Sequence, residues 1–334
     1  MDNYIKLIHG NGGKDTNHLI EEIFYKHFNN ELLVNSLDSS VFKVSQGKMA
    51  FTTDSFVVKP LFFSGGNIGK LAVCGTINDL VVSGARPLYL SCGFIIEEGF
   101  PMNLLEKIVH TMGKICKETG VKIVTGDTKV VEKGAVDGLF INTSGIGIIN
   151  RGYEPKPIKK GDNIIVTGGI AEHGTTIAIE RYKMKVKGNL KSDCMPLTKV
   201  MDKLEKHISS VKLMKDPTRG GLATALNEIA QFAEMDIHLL EEQIPIKKEM
   251  VSVNQLIGLD PLYLACEGRM ILVVDQNEGQ NIVKEIRKCE GCEDAKIIGS
   301  LVNIGSAPTV FIETFIGGKR ILGPLEGAML PRIC

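Results

Sequence analysis

The sequence predicts an α+β protein of two domains, and three observations carry that expectation. Its 334 residues exceed what one hydrophobic core usually organises. Up to about residue 150, helical stripes alternate with short apolar strands, and the strands are too many for a simple wound sheet. The stretch Tyr153-Glu154-Pro155-Lys156-Pro157 then breaks the chain before a second set of strands and helices.

Along the chain, residues 1–15 are polar and end in Gly10-Asn11-Gly12-Gly13-Lys14-Asp15; Leu19, Ile20, Ile23, Phe24 and Phe28 then share one helical face. Lys48–Val58 reads as a strand broken around Thr53-Asp54, and Pro60, Gly65 and Gly66 mark a loop. Small and apolar residues from Ile68 to Ser83 predict a tightly packed helix containing Asp79. Arg86–Phe94 reads as a strand. Met102, Leu105, Ile108, Val109, Met112, Ile115 and Cys116 form a helical stripe ending at Gly120. Strands are expected at Val121–Thr125 and Asp137–Thr143.

In the second half, Ile164–Val166 and Met270–Val274 read as core strands. Helices are expected from about His173, near Leu197–His207, and over Asn281–Lys288. Asp216-Pro217-Thr218 has the form of a helix start, with Asp216 as the cap and Leu222, Ala225, Leu226, Ile229 and Ala233 as the apolar face. Gly317–Cys334, rich in glycine and proline, is expected to be a mobile tail. The organisation is then a loop and helix over 1–34, one domain over 35–155, a second over 156–316 and the tail over 317–334.

Thirty-nine basic residues balance thirty-nine acidic ones, which removes any global bias toward nucleic acid or anionic membrane. The start, Met1-Asp2-Asn3-Tyr4, has no secretory character, and no run approaches the roughly 20 apolar residues of a membrane span. A cytoplasmic protein with free thiols is the expectation for its eight cysteines. Cys289 and Cys292 have the spacing of half a zinc site but lack a second pair, and a turn with two incidental thiols explains them as well.

Four aspartates in short polar or glycine-containing segments carry the chemistry. They are Asp54, Asp79, Asp127 in Gly126-Asp127-Thr128-Lys129, and Asp216 in Asp216-Pro217-Thr218-Arg219-Gly220-Gly221. Carboxylates suit Mg2+, a hard cation often shared with phosphate oxygens, so such a cluster can hold the metal of an ATP-using enzyme. The plain alternatives are turns for Asp54 and Asp127 and a helix cap for Asp216. Lys129 offers a positive charge to a transferring phosphoryl group, or a surface ion pair. The segments Gly10–Lys14 and Gly65–Lys70 lack Walker spacing and are weaker candidates for cradling phosphate. His173, beside Gly168-Gly169, fits a satisfied structural histidine better than a ligand. Cys334 is the last residue of the sequence; a thiolate there is a nucleophile that a terminal segment can carry in and out of a cleft, and the bland reading is an incidental cysteine.

An ordered series of segments resembles a known family. It runs through His9-Gly10 and Gly12-Gly13, Thr52–Val58, Pro60–Phe63, Ile68–Val73, Asn78-Asp79-Leu80, Ile95–Gly99, Ile123–Val131, Asp216–Gly221 and Pro331-Arg332-Ile333-Cys334. Together they resemble the HypE carbamoyl dehydratases of nickel–iron hydrogenase maturation. These belong to an ATP-binding superfamily that also holds aminoimidazole ribonucleotide synthetase, selenophosphate synthetase and thiamine-monophosphate kinase. The resemblance implies a two-domain PurM-like fold and a homodimer whose amino-terminal domains form a β-barrel-like core. It implies Asp54, Asp79, Asp127 and Asp216 at Mg2+ and ATP, with Lys129 a polar contact. It further implies Cys334 as the carrier of a carbamoyl group supplied by the carbamoyltransferase HypF, dehydrated to a cyanide passed to iron on a HypC–HypD scaffold.

Two positions depart from the family pattern. Asn67 stands where aspartate is usual in Gly-Gly-Asp-Ile-Gly, and Cys266 where Ala-Asn-Glu-Gly is usual. Two competing readings are a superfamily enzyme acting on a free small substrate and a nucleotide-controlled scaffold. Selenophosphate synthetase would place its reactive residue in the amino-terminal loop, and residues 9–14 hold no cysteine.

Overall fold

The computed structural model describes residues 3–10, 18–30, 48–149, 152–303, 305 and 307–325. The chain divides into two compact units. The described residues of Met1–Phe62, Gly66–Val81 and Ala85–Asn150 form the first, and Phe63–Gly65, Val82–Gly84 and those of Arg151–Cys334 form the second.

The first unit is built on strands β1 (Lys48–Phe56), β2 (Arg86–Glu97), β3 (Lys122–Val131) and β4 (Leu139–Ile149), in the order β1-β4-β2-β3. The β1–β4 and β4–β2 pairs are antiparallel; β2 and β3 are parallel and joined through a helix, Met102–Thr119. Strand β1 is not broken at Thr53-Asp54 as the sequence predicts. Those residues pair with Ser144 and Thr143, so ladder hydrogen bonds override their local preference for turns. Strand β3 likewise runs on past Thr125 to Val131, which puts Asp127 and Lys129 inside a strand.

Helix α1 (Ile68–Val82) joins β1 to β2 and is buried almost all round, which explains its lack of a polar face. Helix α2 (Met102–Thr119) is amphipathic: Leu105, Ile108, Val109 and Met112 are buried, and the left-handed Gly120 ends it as predicted. Each such buried side chain stabilises the fold by about 1.5–3 kcal/mol. The opposite face of the sheet stays open. Phe51, Ile146 and Tyr89 fall in register there, with Phe51 71% exposed, and Met49 and Ile95 are also exposed.

The second unit carries a seven-stranded sheet. Its strands are β5 (Asn163–Val166), β6 (Val211–Lys215), β7 (Asp236–Leu240), β8 (Ile271–Val274), β9 (Lys296–Val302), β10 (Val310–Glu313) and β11 (Lys319–Ile321). Their order is β11-β10-β7-β9-β5-β8-β6, and only β7 and β10 are parallel neighbours. Helices α3 (Glu172–Arg181), α4 (Thr198–Leu204), α5 (Gly221–Ala233), α6 (Lys248–Ile257) and α7 (Gly279–Ile286) complete it. Ile164, Val166, Leu222, Leu226, Ile229, Ile271, Val273 and Ile312 lie in one core cluster.

Two expectations are corrected here. Asp216 does not cap a helix: α5 starts at Gly221, with Gly220 in the capping position at φ 72° and no side-chain cap. Gly221 itself has φ 58°, and a Cβ there would lie 2.6 Å from the Leu264 carbonyl oxygen, so two left-handed glycines, not an aspartate, make this helix entry. Order also continues beyond residue 317. Strand β11 pairs with Phe311–Glu313, and Leu322 is buried with its N–H donating to Val310 O at 2.8 Å.

Gly69 shows how tightly α1 and α2 are apposed. A Cβ at 69 would stand 2.7 Å from Ile108 O and 2.8 Å from Met112 Cγ. Alanine gains about 1 kcal/mol over glycine in a free helix, yet overpacking costs about 1–3 kcal/mol. Gly69→Ala is therefore expected to lower the unfolding free energy by up to about 2 kcal/mol in urea denaturation; an increase would refute the close approach.

Candidate active site

The first unit brings two of the predicted carboxylates together. Thr52, Asp54 and Phe56 alternate onto the face of β1 that meets α1. The Thr52 hydroxyl donates to Asp79 Oδ2 at 2.7 Å. One turn earlier on the helix, a Cβ on Gly75 would lie 4.0 Å from Asp54 Oδ2 and only 2.8 Å from the Phe56 ring. Asp54 and Asp79 thus occupy neighbouring levels of one helix–strand seam, both half-buried. Two carboxylates at the edge of a packed seam match what Mg2+ takes from a protein when phosphates and water fill its other positions. The donor set fits.

Small residues make the seam possible. The Thr76 and Thr143 hydroxyls are 2.6 Å apart, and Thr143 Oγ1 also donates to Ala72 O. A Cβ on Gly145 would stand 2.7 Å from Thr76 Cγ2. Larger residues at these points would lift the helix and separate Asp79 from Thr52.

Asp127 and Lys129 lie elsewhere. They alternate with Gly126 and Thr128 along β3 and are exposed, in register with Gly93 and Ile95 of β2, on the open face of the sheet. Asp216 belongs to the second unit, directly after β6. Among the described residues no group of three or more His, Cys, Asp or Glu side chains gathers as a ready-made metal site. Cys334, Lys14 and most of the Gly10–Lys14 segment lie outside the described residues.

Within the Gly65–Lys70 segment, one side chain has a structural role. Asn67 is buried; its Oδ1 accepts the Lys70 N–H at 3.0 Å, and its Nδ2 donates to Thr111 Oγ1 at 3.0 Å. This side chain caps α1 and ties it to α2. An aspartate could take the first bond but has no donor for the second.

Sequence reasoning missed a buried polar network in the second unit. Asp193 accepts the N–H groups of His173, Glu267 and Gly268 at 2.9–3.1 Å. Arg269 Nη2 meets Glu172 Oε2 at 2.8 Å, while its Nε and Nη1 donate to Gly169 O and Gly291 O. Lys247 adds a second cation on Glu172. Burial raises the Asp193 carboxyl despite the opposing Arg269 charge. The Cys266 thiol accepts the N–H of Ala171, which holds left-handed backbone at φ 66° at the head of α3. Sulfur is a weak acceptor there, and burial pushes this thiol well up. Scattered over a hundred residues of sequence, these groups give no local pattern.

His173 sits inside this network. Its ring packs edge-on to Phe63, Nδ1 lies 2.8 Å from Ser192 Oγ, and Nε2 has no hydrogen-bond partner among the described residues. Complete burial pushes its pKa down to about 3. The folded value is below the ordinary one, so the unfolded chain takes up the proton first. Stability is present in full above about pH 6.5 and is lost as pH falls toward 3, by up to about 1.4 kcal/mol per pH unit. The stability difference between wild type and His173→Gln is expected to shrink between pH 7.5 and 5 in urea titrations; a constant difference would exclude the buried neutral imidazole.

Comparison with known proteins places the chain. Residues 36–149 match the AIR synthase related protein N-terminal domain family and residues 159–307 the corresponding C-terminal domain family. The carbamoyl dehydratase HypE of Bradyrhizobium diazoefficiens is 42% identical over 333 residues, covering 99% of this chain and 96% of that protein. A crystal structure of hydrogenase maturation protein HypE in complex with ATP superposes with a TM-score of 0.94 at 42% identity, covering 98% of this chain and 99% of that one. A HypE–HypF complex superposes with a TM-score of 0.79 at 43% identity, covering 92% and 99%. With this agreement along its whole length, and with both domains of a PurM-like fold, the chain belongs to the HypE family of carbamoyl dehydratases.

Proposed function

We propose that this protein converts an S-carbamoyl group on Cys334 into an S-cyano group at the expense of ATP, as a step in hydrogenase maturation. The observation that carries the reading is the match over 99% of the chain to a carbamoyl dehydratase, together with the ATP complex of a relative. Chemically, ATP transfers its γ-phosphoryl group to the carboxamide oxygen. Phosphate then leaves and the nitrogen loses its protons. A carbon–nitrogen triple bond remains on sulfur, with ADP and phosphate released.

Bound Mg2+ would neutralise charge on the phosphate oxygens. Asp54 and Asp79 are the pair that suits it best, because both sit on the α1 seam, Asp79 accepting from the Thr52 hydroxyl and Asp54 lying beside Gly75. Asp127, Asp216 and Lys129 join the proposed ATP-side set through the family resemblance. Cys334 is the proposed carrier, and the other cysteines support that choice. All seven are buried and so out of a partner's reach, and burial also raises the thiols of Cys92, Cys116, Cys266, Cys289 and Cys292.

A HypF-type carbamoyltransferase is the proposed donor, in keeping with the solved HypE–HypF complex. Delivery to a HypC–HypD scaffold and a cytoplasmic setting are part of the same proposal. No helix among the described residues is long and apolar enough to cross a membrane. A homodimer is proposed through the open face of the first sheet, where Met49, Phe51 and Ile95 would otherwise stay in water.

Three experiments test these statements. Intact-mass measurement should show a carbamoyl adduct after incubation with the carbamoyltransferase and its carbamoyl donor, then loss of one water mass when Mg-ATP is supplied. Asp54→Asn is expected to lower the dehydration rate by about 10²–10³-fold while leaving the adduct intact; unchanged turnover would remove Asp54 from the site. Phe51→Asp should convert a dimer to monomer in sedimentation velocity, and an unaffected dimer would move the interface off this face.

A further inference from the structure

The second unit ends in a hairpin whose tip is unusually apolar for a surface turn. Thr314 N donates to Gly318 O at 2.7 Å, Gly317 N to Thr314 O at 2.8 Å, and Thr314 Oγ1 to Gly318 O at 3.0 Å. This closed loop projects Phe315 and Ile316, 75% and 78% exposed, and the strand after it adds Ile321 at 73%. The base is braced: Phe311 stacks on His238 at 4.9 Å, Lys319 Nζ lies 5.0 Å over the same ring, and His238 bonds Glu313 at 2.9 Å. A braced turn presenting two large apolar side chains has already lost the conformational entropy that docking would otherwise cost.

The residues just past the hairpin point to its occupant. Leu322 O accepts from Asn227, Gly323 O accepts from the Tyr263 hydroxyl, and Leu325 N donates to Thr224 Oγ1. The root of the carboxy-terminal segment is thus pinned to the body beside the hairpin. Cys334 comes nine residues after Leu325. Nine residues span at most about 30 Å even when fully extended. Any enzyme that closes its active site around the Cys334 sulfur must rest its own surface within that radius of Leu325.

We infer that the hairpin Val310–Ile321 is the docking surface for the carbamoyl-transferring partner, with Phe315 and Ile316 as anchors and Lys319 and Arg320 as a basic flank. The inference rests on the reading of Cys334 as carrier. The partner's complementary surface is an apolar recess with an acidic rim. The edge strand Lys319–Ile321, exposed along its length, lies between the anchors and the tail root. A partner seated on it would hold the tail's origin in a fixed position relative to its own catalytic pocket.

The test compares full-length wild type, Phe315→Glu/Ile316→Glu, and the control Leu256→Glu, which charges an equally exposed leucine at 79% on α6. Binding to a purified HypF-type carbamoyltransferase is measured by calorimetry, and Cys334 carbamoylation by intact mass under varied acceptor concentration. The expected result is at least a tenfold weaker affinity and a raised KM with little change in kcat for the tip variant only. Unfolding midpoint and ATP binding should be preserved. Equal affinity and rate in all three proteins would overturn the docking surface, as would a tip variant that changes the self-association of this chain and not its partner binding. If wild type bound the partner but never acquired an adduct, the Cys334 reading would fail, while the binding comparison would still decide the hairpin.

Discussion

Helix α1 lies close enough to the sheet of the first unit that threonine hydroxyls meet across the contact, 2.6 Å apart. Gly75 admits the Phe56 ring, Gly145 admits Thr76 and Leu80, and Gly69 admits the backbone of α2. The closeness has a chemical consequence. Asp79, near the end of the helix, comes within hydrogen-bond reach of Thr52 on β1, and Asp54 falls beside the same helix one turn earlier. Two half-buried carboxylates on one seam suit a cation, which is why they are the proposed Mg2+ pair. Fold and site are set by the same small residues.

The second unit solves a different problem. Glu172, His173 and the left-handed Ala171 open α3 in the interior, where exposed backbone and charge are costly. Arg269 and Asp193 answer that cost with donors and acceptors from four separate segments, so the charges are paired and the amides bonded. Such a network loses more from removal of one member than its individual bonds suggest. Cys266 is the soft member of the set, a weak sulfur acceptor closing a ring of strong ones.

Legibility in the sequence followed locality. The helical stripe of α2 and its stop at Gly120 were readable because periodicity and an end signal lie in one window. The strand Ile271–Val274 was readable as an apolar run. Strands Val211–Lys215 and Asp236–Leu240 and helix Lys248–Ile257 were not, because each mixes charged with apolar residues and takes its state from neighbours in the sheet or core. Aspartate at 216 looked like a cap because Asp-Pro is a common helix start; the two glycines that serve there were visible, but their left-handed geometry is dictated by the Leu262–Leu264 backbone pressed against them. The candidate carboxylates were each identifiable as residues, whereas the placing of Asp54 and Asp79 on one seam depends on the packing of α1 against β1, which only tertiary structure creates.

A substrate that belongs to the enzyme's own chain changes what the surface must do. On the proposed reading of Cys334 as carrier, the sulfur follows the pinned Leu325 by nine residues, and a tether of that length holds it at a local concentration of roughly millimolar order, so little binding energy is needed to present it. Selection among partners then cannot come from the reacting group, which is a small amide on sulfur with few features to recognise. It has to come from the body that carries the tail. The braced, apolar hairpin beside the root is the part of the described surface whose position ties recognition of the body to capture of the tail in one event.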